Sequence, residues 1–382
     1  MTASCASPSS SRSSSAEAHG RLWIGLISGT SVDGIDAALV RITPTGRLED
    51  TLATRTLPLP GELAEAIHRA GAETPLATLC ELDGRLGEAF GSAAARLQEA
   101  AGGEPIAAVG CHGQTVWHQG APLPPLSAQL GDPNRIAAAT GLPVVSDFRG
   151  RDLAEGGQGA PLAPAFHAAC LGQGEASRAV VNLGGIANLT LLSPQGPVTG
   201  FDLGPANTLL DGWARRHLGR AYDADGAWAA SGRVDHALLE RLLAEPYFRA
   251  PPPKSTGPER FSLEWLEGQL EAGERPEDVQ ATLAELTARS VAEGVAAWAG
   301  AGTREVLVCG GGVHNRHLMA RLRARCPGLE VASTQTYGVD PDFVEAIGFA
   351  WLAWARLAGV PGNCPAATGA RRPAVLGGLY AG

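Results

Sequence analysis

The chain is 382 residues long, 45% hydrophobic and 18% charged, with a net charge of −9. That length accommodates two domains with a cleft between them, because one core stops growing near ~250–300 residues, and the composition is globular rather than disordered. The acidic balance argues against nucleic acid or an anionic membrane as main partner, and no run approaches the ~18 uninterrupted apolar residues of a membrane span.

Residues 1–20 are Ser-rich without the apolar core of a secretory signal, and read as a disordered tail. Order is expected from Leu22. The run LWIGLIS, a break at GTSVDG and the run IDAALVRI predict a β-hairpin. Residues 61–101 carry helical spacing (Leu63, Ile67, Leu76, Leu79, Leu82, Leu86). IAAVGC (106–111) reads as a short strand, LPVVSDF (142–148) as another, and RGRDLAEGGQGAP as an irregular connector lining a cleft. AVVNLGGIANLTLL (179–192) repeats the hairpin theme, GPVTGFDLG (196–204) is a strand and NTLLDGWARRHL (207–218) a helix. Within 279–298, Val279, Leu283, Leu286, Val295 and Trp298 fall on roughly one helical face. EVLVCGGG (305–312) is a strand, with helices from Arg316 and over 344–359 and a loop-rich tail from Pro361. The alternation predicts an α/β protein. Two strand–Gly turn–strand units, one per half, suggest a duplicated two-lobe architecture.

Seven scattered cysteines without a CxxC pair read as reduced thiols of a cytoplasmic protein, with neither a disulfide framework nor a zinc site. Lys254, in PPPKSTGPER, is the only lysine. A Walker A loop, which ends in Gly-Lys-Ser/Thr, is therefore absent, and ATP would have to be held by backbone amides, hydroxyls and magnesium.

Four segments carry chemistry. In SGTSVDGID (28–36), two glycines and the hydroxyls of Ser28, Thr30 and Ser31 can direct donors at one anion. Asp33 and Asp36 could hold Mg²⁺ there, or stand as solvated acids of an ordinary turn. In NLGGIANLT, Gly184 and Gly185 allow close backbone approach, with Asn182, Asn188 and Thr190 as neutral donors; a second turn of this kind could complete a phosphate clamp. Asp202 follows a strand and precedes a Gly-Pro loop and a helix, which suits either a general base or a helix cap. Gly310, Gly311 and Gly312, then Asn315, form a strand-to-helix turn suited to a nucleotide, although the dinucleotide fingerprint fails at Asn315. His112 and His118 can contact a substrate or serve structure. Arg149, Arg151 and Asp152 can bind a carboxylate or form an ion pair, and Glu345 can be catalytic or simply favourable charge at a helix start.

Taken in order, GTSVDGID, CHGQTVWH, DFRGRDLAEGGQGAPLAPAFH, NLGGIANLT, GFDLGPANTLLD, PPPKSTG, VCGGGVHN and GVDPDFVEAIGFAWLA resemble the motif series of the anhydro-N-acetylmuramic acid kinases, across residues 22–382. The resemblance implies a two-lobe, actin-like ATPase fold with a duplicated mixed sheet and a central cleft. One lobe would comprise 21–150 with about 361–382, the other 151–360. It implies ATP and Mg²⁺ as cofactors, and phosphorylation of oxygen 6 of 1,6-anhydro-N-acetylmuramic acid while water opens the anhydro bridge at carbon 1. Gly29, Thr30, Ser31, Val32, Asp33, Gly34, Ile35 and Asp36 would form the ATP phosphate loop. Asn182, Gly184, Gly185 and the Gly310–Asn315 turn would complete the nucleotide site. Asp202 would be the base, with Glu345, Arg149 and Arg151 near the sugar, and His112 is a candidate substrate contact from its own residue type. Gly150 stands where the family often has a third arginine, which leaves open which arginine meets the substrate carboxylate. Another sugar or carboxylate kinase of the same superfamily, or a nucleotide-gated binding protein, are the competing readings; a homodimer is left open.

Overall fold

The computed structural model describes residues 19–29, 32–119, 124–172, 174, 176–252, 254–257, 259–300 and 302–382. Residues 1–18 of the Ser-rich segment, and Thr30 and Ser31 of the first Gly turn, lie outside that set. Strands β1 (Arg21–Ser28), β2 (Gly34–Ile42) and β3 (Leu48–Pro58) form an antiparallel meander. After α1 (Gly61–Arg69) and α2 (Leu76–Ala100), β4 (Ile106–Gln119) runs parallel to β1. β5 (Leu126–Leu130) turns back on β4, and α3 (Pro133–Thr140) leads to β6 (Val144–Ser146), parallel to β4. α4 (Phe148–Ala154) and α5 (Ala163–Leu171) pass to a second meander of β7 (Ser177–Leu183), β8 (Ile186–Leu192) and β9 (Thr199–Pro205). Five helices follow: α6 (Asn207–Leu218), α7 (Ala227–Ser231), α8 (His236–Leu243), α9 (Leu263–Glu267) and α10 (Pro276–Trp298). β10 (Thr303–Cys309) runs parallel to β7, and after α11 (Arg316–Arg325), β11 (Glu330–Ser333) runs parallel to β10. α12 (Val344–Ala358) and α13 (Pro365–Thr368) precede β12 (Gly378–Tyr380), which pairs with β6 on the first sheet.

The two sheets repeat one topology. Their orders, β3-β2-β1-β4-β6 and β9-β8-β7-β10-β11, each place an antiparallel hairpin pair beside parallel strands; β5 and β12 are additions to the first. Helices α1 to α3 cover the outer face of the first sheet with Leu63, Leu86, Phe90 and Leu97. Helices α6, α8, α10 and α11 cover the outer face of the second with Leu210, Leu242, Leu283 and Leu322. Between the sheets lies one shared apolar layer, in which Ile347 and Leu352 of α12 and Phe166 of α5 meet Trp23 and Val40 from one side and Val180 and Leu307 from the other.

α12 seats directly on the first sheet because two strand glycines leave it room. A Cβ at Gly25 would lie 1.8 Å from the Ala346 carbonyl oxygen, and one at Gly110 would lie 2.0 Å from that of Phe349. No side chain fits at either distance, so these glycines set how deeply the helix sits and where its first turn ends up.

The structure corrects several expectations. The strand expected at 106–111 continues to Gln119, because β5 pairs with its polar second half. The strand expected over 142–148 shortens to three residues. Asp147 stops it with φ 56°, and its carboxylate accepts the Gly150 amide at 3.1 Å, capping α4. The connector expected after Phe148 is thus helical through Ala154. Trp298, expected on the buried face, is 45% exposed at the end of α10, where its ring meets Phe201 edge-on.

Candidate active site

β8 and β9 pair Asn188 opposite Asp202, which puts both side chains on one face of the second sheet. The Asn188 amide donates to Asp202 Oδ1, and the Thr256 backbone N–H donates to Oδ2 at 2.9 Å. Burial outweighs these donors and raises the Asp202 pKa to about 6. The backbone of Asp202 is fixed as well: its N–H donates to the Lys254 carbonyl at 3.2 Å, and its carbonyl accepts the Tyr247 hydroxyl at 2.9 Å. Lys254 in turn donates to the Tyr247 and Phe248 carbonyls at 3.1 and 3.4 Å and lies 4.7 Å from the Tyr247 ring centre. The lone lysine fastens the 254–256 segment over β9.

The facing wall comes from β4, α4 and α12. Arg149 Nε–H donates to His112 Nε2 at 3.0 Å, so Nε2 must be the unprotonated nitrogen. Nδ1–H then donates to the Gly113 carbonyl at 3.1 Å. Burial, with the Arg149 charge adding, pushes the His112 pKa down to about 3, and the imidazole stays neutral. It holds Arg149 by one N–H and leaves the other guanidinium donors available. Burial lowers the Arg149 pKa and the nearby Glu345 partly restores it. Glu345, in the first turn of α12, opens onto the cleft yet is surrounded by protein. Its pKa is raised, first by that desolvation and then by the charge of Asp36, while Arg149 lowers it. His112, Arg149, Glu345, Asn182, Asn188, Asp202 and Thr256 all line a single cleft of about 660 Å³, built from elements of both sheets.

The expected phosphate loops gather near this cleft. Gly29 accepts the Val32 N–H at 3.2 Å in the β1–β2 turn, where Val32 has φ 55°, an unusual conformation for a β-branched residue. Ile35 is buried in the first core beneath the turn, and β2 begins at Gly34. Asp36 accepts the Thr56 hydroxyl at 2.6 Å; its pKa is raised by burial, then by the charges of Asp33 and Asp342. Asp342 hydrogen-bonds His314 at 2.8 Å, and Gly310 N–H donates to Pro341 at 2.8 Å, so the third glycine turn reaches the same neighbourhood. Gly310 has φ 77°, and a Cβ there would lie 2.2 Å from Asn182 Oδ1, which leaves glycine as the only fit against the second hairpin. A Cβ on Gly312 would meet Leu183 at 2.5 Å, whereas one on Gly311 would make only ordinary contact, with Asn207 Nδ2 at 3.8 Å.

In that second hairpin, the Gly184 carbonyl accepts the Asn207 N–H, and the Gly185 carbonyl accepts those of Ala206 and Thr208. Because the peptide is trans, the Gly185 N–H points opposite to the Gly184 carbonyl, away from α6. The amide opening α6 is used internally; the turn's own amide is the group presented outward. Asn315 caps α11 by accepting the Leu318 N–H at 2.9 Å.

Arg149 and Arg151 separate completely. Two residues on a helix are ~200° apart, and while Arg149 enters the cleft, Arg151 pairs with Glu155 at 3.2 Å outside it. Asp152 is fully buried and accepts from the Gly159 amide, Asn363 and Thr368 at 2.6–2.8 Å, which ties α4 to the C-terminal segment. His118 lines the cleft further out on β4.

The family model for anhydro-N-acetylmuramic acid kinase matches residues 21–382. The chain belongs to that family. It is 53% identical over 366 residues to the anhydro-N-acetylmuramic acid kinase of Xanthomonas axonopodis pv. citri, covering 94% of this chain and 98% of that one. Against the anhydro-N-acetylmuramic acid kinase of Chromohalobacter salexigens it is 53% identical over 371 residues, 94% of this chain and all of the relative. Among solved structures, a xylulose kinase from Rhodospirillum rubrum superposes with a TM-score of 0.44 at 14% identity, over 86% of this chain and 90% of that one, a likeness too distant to carry weight. The enzyme is therefore a kinase. Within the PPPKSTG run, the sequence alone gives no site role to Thr256, whose amide grips Asp202, or to the loop fastened by Lys254. A single lysine in a 382-residue chain was the available signal.

Proposed function

We propose that the enzyme transfers the γ-phosphoryl group of ATP to oxygen 6 of 1,6-anhydro-N-acetylmuramic acid while water opens the anhydro bridge, giving N-acetylmuramic acid 6-phosphate and ADP. A bond forms between the water oxygen and carbon 1 as the bond from carbon 1 to oxygen 6 breaks. Oxygen 6 takes the phosphoryl group, and the water proton passes to Asp202. The observation that carries this reading is the Asp202 carboxylate, half-buried, oriented through both oxygens and raised to about 6, in a cleft shared with Arg149 and Glu345. A base of that pKa is ionised at neutral pH and still able to take a proton. Because the departing oxygen is captured by phosphorus, no second carboxylic acid is required to protonate it, in contrast to an inverting glycosidase.

Arg149, pre-oriented by neutral His112, suits the lactyl carboxylate of the sugar. Asp33 and Asp36 are the residues that would hold Mg²⁺, which supplies charge neutralisation at the phosphates. The oxygen donors fit the ion's chemistry. Mg²⁺ takes few protein carboxylates and keeps much of its shell in water and phosphate. The use of ATP supports a cytoplasmic location for the reaction.

The test is incubation with 1,6-anhydro-N-acetylmuramic acid and Mg-ATP, followed by mass spectrometry. A product heavier by one phosphate and one water is expected. A gain of phosphate alone would mean a simple kinase, and ring opening without nucleotide a glycosidase.

A further inference from the structure

Away from the cleft, four arginines crowd together on a protein whose net charge is −9. Arg151, Arg371 and Arg372 all reach the one carboxylate of Glu155, at 3.2, 3.8 and 3.0 Å. Arg372 holds it through two N–H donors, each at 3.0 Å. Arg356, near the end of α12, donates its Nε–H to the Gly377 carbonyl at 2.8 Å and forms no ion pair among the described residues. Four arginines share one glutamate, so these five side chains carry a local excess of three positive charges. Three of them, Arg151, Arg356 and Arg372, line a second cavity of about 490 Å³ with the Pro373–Val375 run and Gly377, and among the described residues no carboxylate lines it.

We propose that this cavity is a binding site for the phosphate monoester of a small metabolite, separate from the catalytic cleft. Guanidinium forks arriving from α4, from α12 and from the C-terminal segment offer more donors than the two oxygens of a carboxylate can accept. A phosphate monoester presents three terminal oxygens and up to two charges. The cavity is far larger than a phosphate group, so it has room for the organic part of an ester. The Nε–H bond to Gly377 and the shared Glu155 hold the forks in place before a ligand arrives, which limits the ordering cost of binding.

The test is calorimetric titration of the full chain at low salt with glucose 6-phosphate and, separately, with glucose. Binding of the ester and not of the free sugar is expected. Arg356→Gln and Arg151→Gln should each weaken it roughly tenfold, the effect of losing one charge-assisted contact, with unfolding temperature and basal kinase turnover unchanged. Arg149→Gln, in the cleft, should leave it unaltered. Absence of binding at millimolar ester overturns the proposal. So does binding that disappears in Arg149→Gln and persists in Arg356→Gln, which would put the anion in the cleft.

Discussion

Replacing Asn188 by leucine keeps the side chain's size on β8 and removes the donor to Asp202 Oδ1, leaving the Thr256 amide as the one hydrogen-bond donor to the carboxylate among the described residues. A hydrogen bond to a charged group contributes ~1.5–3 kcal/mol, and a pKa unit corresponds to about 1.4 kcal/mol. With allowance for the carboxylate's partial contact with solvent, the loss should raise the Asp202 pKa by about one unit, from about 6 toward ~7. The donor favours the ionised form, so its removal moves the pKa up and shrinks the fraction of base available at neutral pH. At pH 7 that fraction falls from roughly nine-tenths to about half. The assay is the pH dependence of kcat/KM, followed by ADP release between about pH 5 and 9.5. Its acid limb should shift upward by about one unit, with rates near wild type above about pH 9. An acid limb in the same place for both proteins would show that Asp202 is not the group whose ionisation limits the reaction.

Asp202→Asn should abolish both phosphoryl transfer and bridge opening while ATP still binds; retained turnover removes the residue from the chemistry. Its stability should also respond to pH. Since the folded-state pKa is raised above the ordinary ~3.9, the carboxylate weakens the fold as pH rises through about 4 to 6, so the unfolding temperature of Asp202→Asn relative to wild type should climb over that interval and then level off. A pH-independent difference would contradict the burial argument. Arg149→Ala should raise the KM for the sugar by tenfold or more, whereas Arg151→Ala should leave it within about twofold because that side chain faces Glu155; steady-state kinetics on both decides it. Gly25→Ala forces a methyl into the Ala346 carbonyl and should cost ~3 kcal/mol or more, seen as a lower denaturant midpoint, with activity falling as Glu345 is displaced. Asp152→Ala strands three buried donors and should destabilise by several kcal/mol, readable in the same unfolding experiment.

Much of this architecture is legible in local patterns. The paired hairpins, the helix over Asn207–Leu218 and the apolar α12 all follow from periodicity, since each buries a face that its own residues declare. The features that escaped depend on partners distant in sequence. The second half of β4 is polar and becomes strand because β5 returns to it. Helix α4 contains two glycine-flanked arginines that resemble a loop, and its start depends on Asp147 adopting a left-handed backbone. For the site, Asp202, Arg149, His112 and Glu345 could be picked out as polar residues next to apolar runs. Thr256 could not, because its contribution is a backbone amide brought in 54 residues downstream of Asp202. Arg151 looked equivalent to Arg149 in the linear text; a helix turn of ~200° separates them.

The apolar layer between the sheets has a thermodynamic corollary. Trp23 and Val40 from one half, and Val180 and Leu307 from the other, share contacts with the same face-to-face filling of α5 and α12. Neither half can melt without exposing hydrocarbon that the other relies on, so heating should yield one cooperative calorimetric peak instead of two. By the same token, a fragment ending before α12 would lack the cover for its inner sheet face and should aggregate. Any movement of one sheet relative to the other would have to bend around this layer, since parting it would expose its hydrocarbon to water.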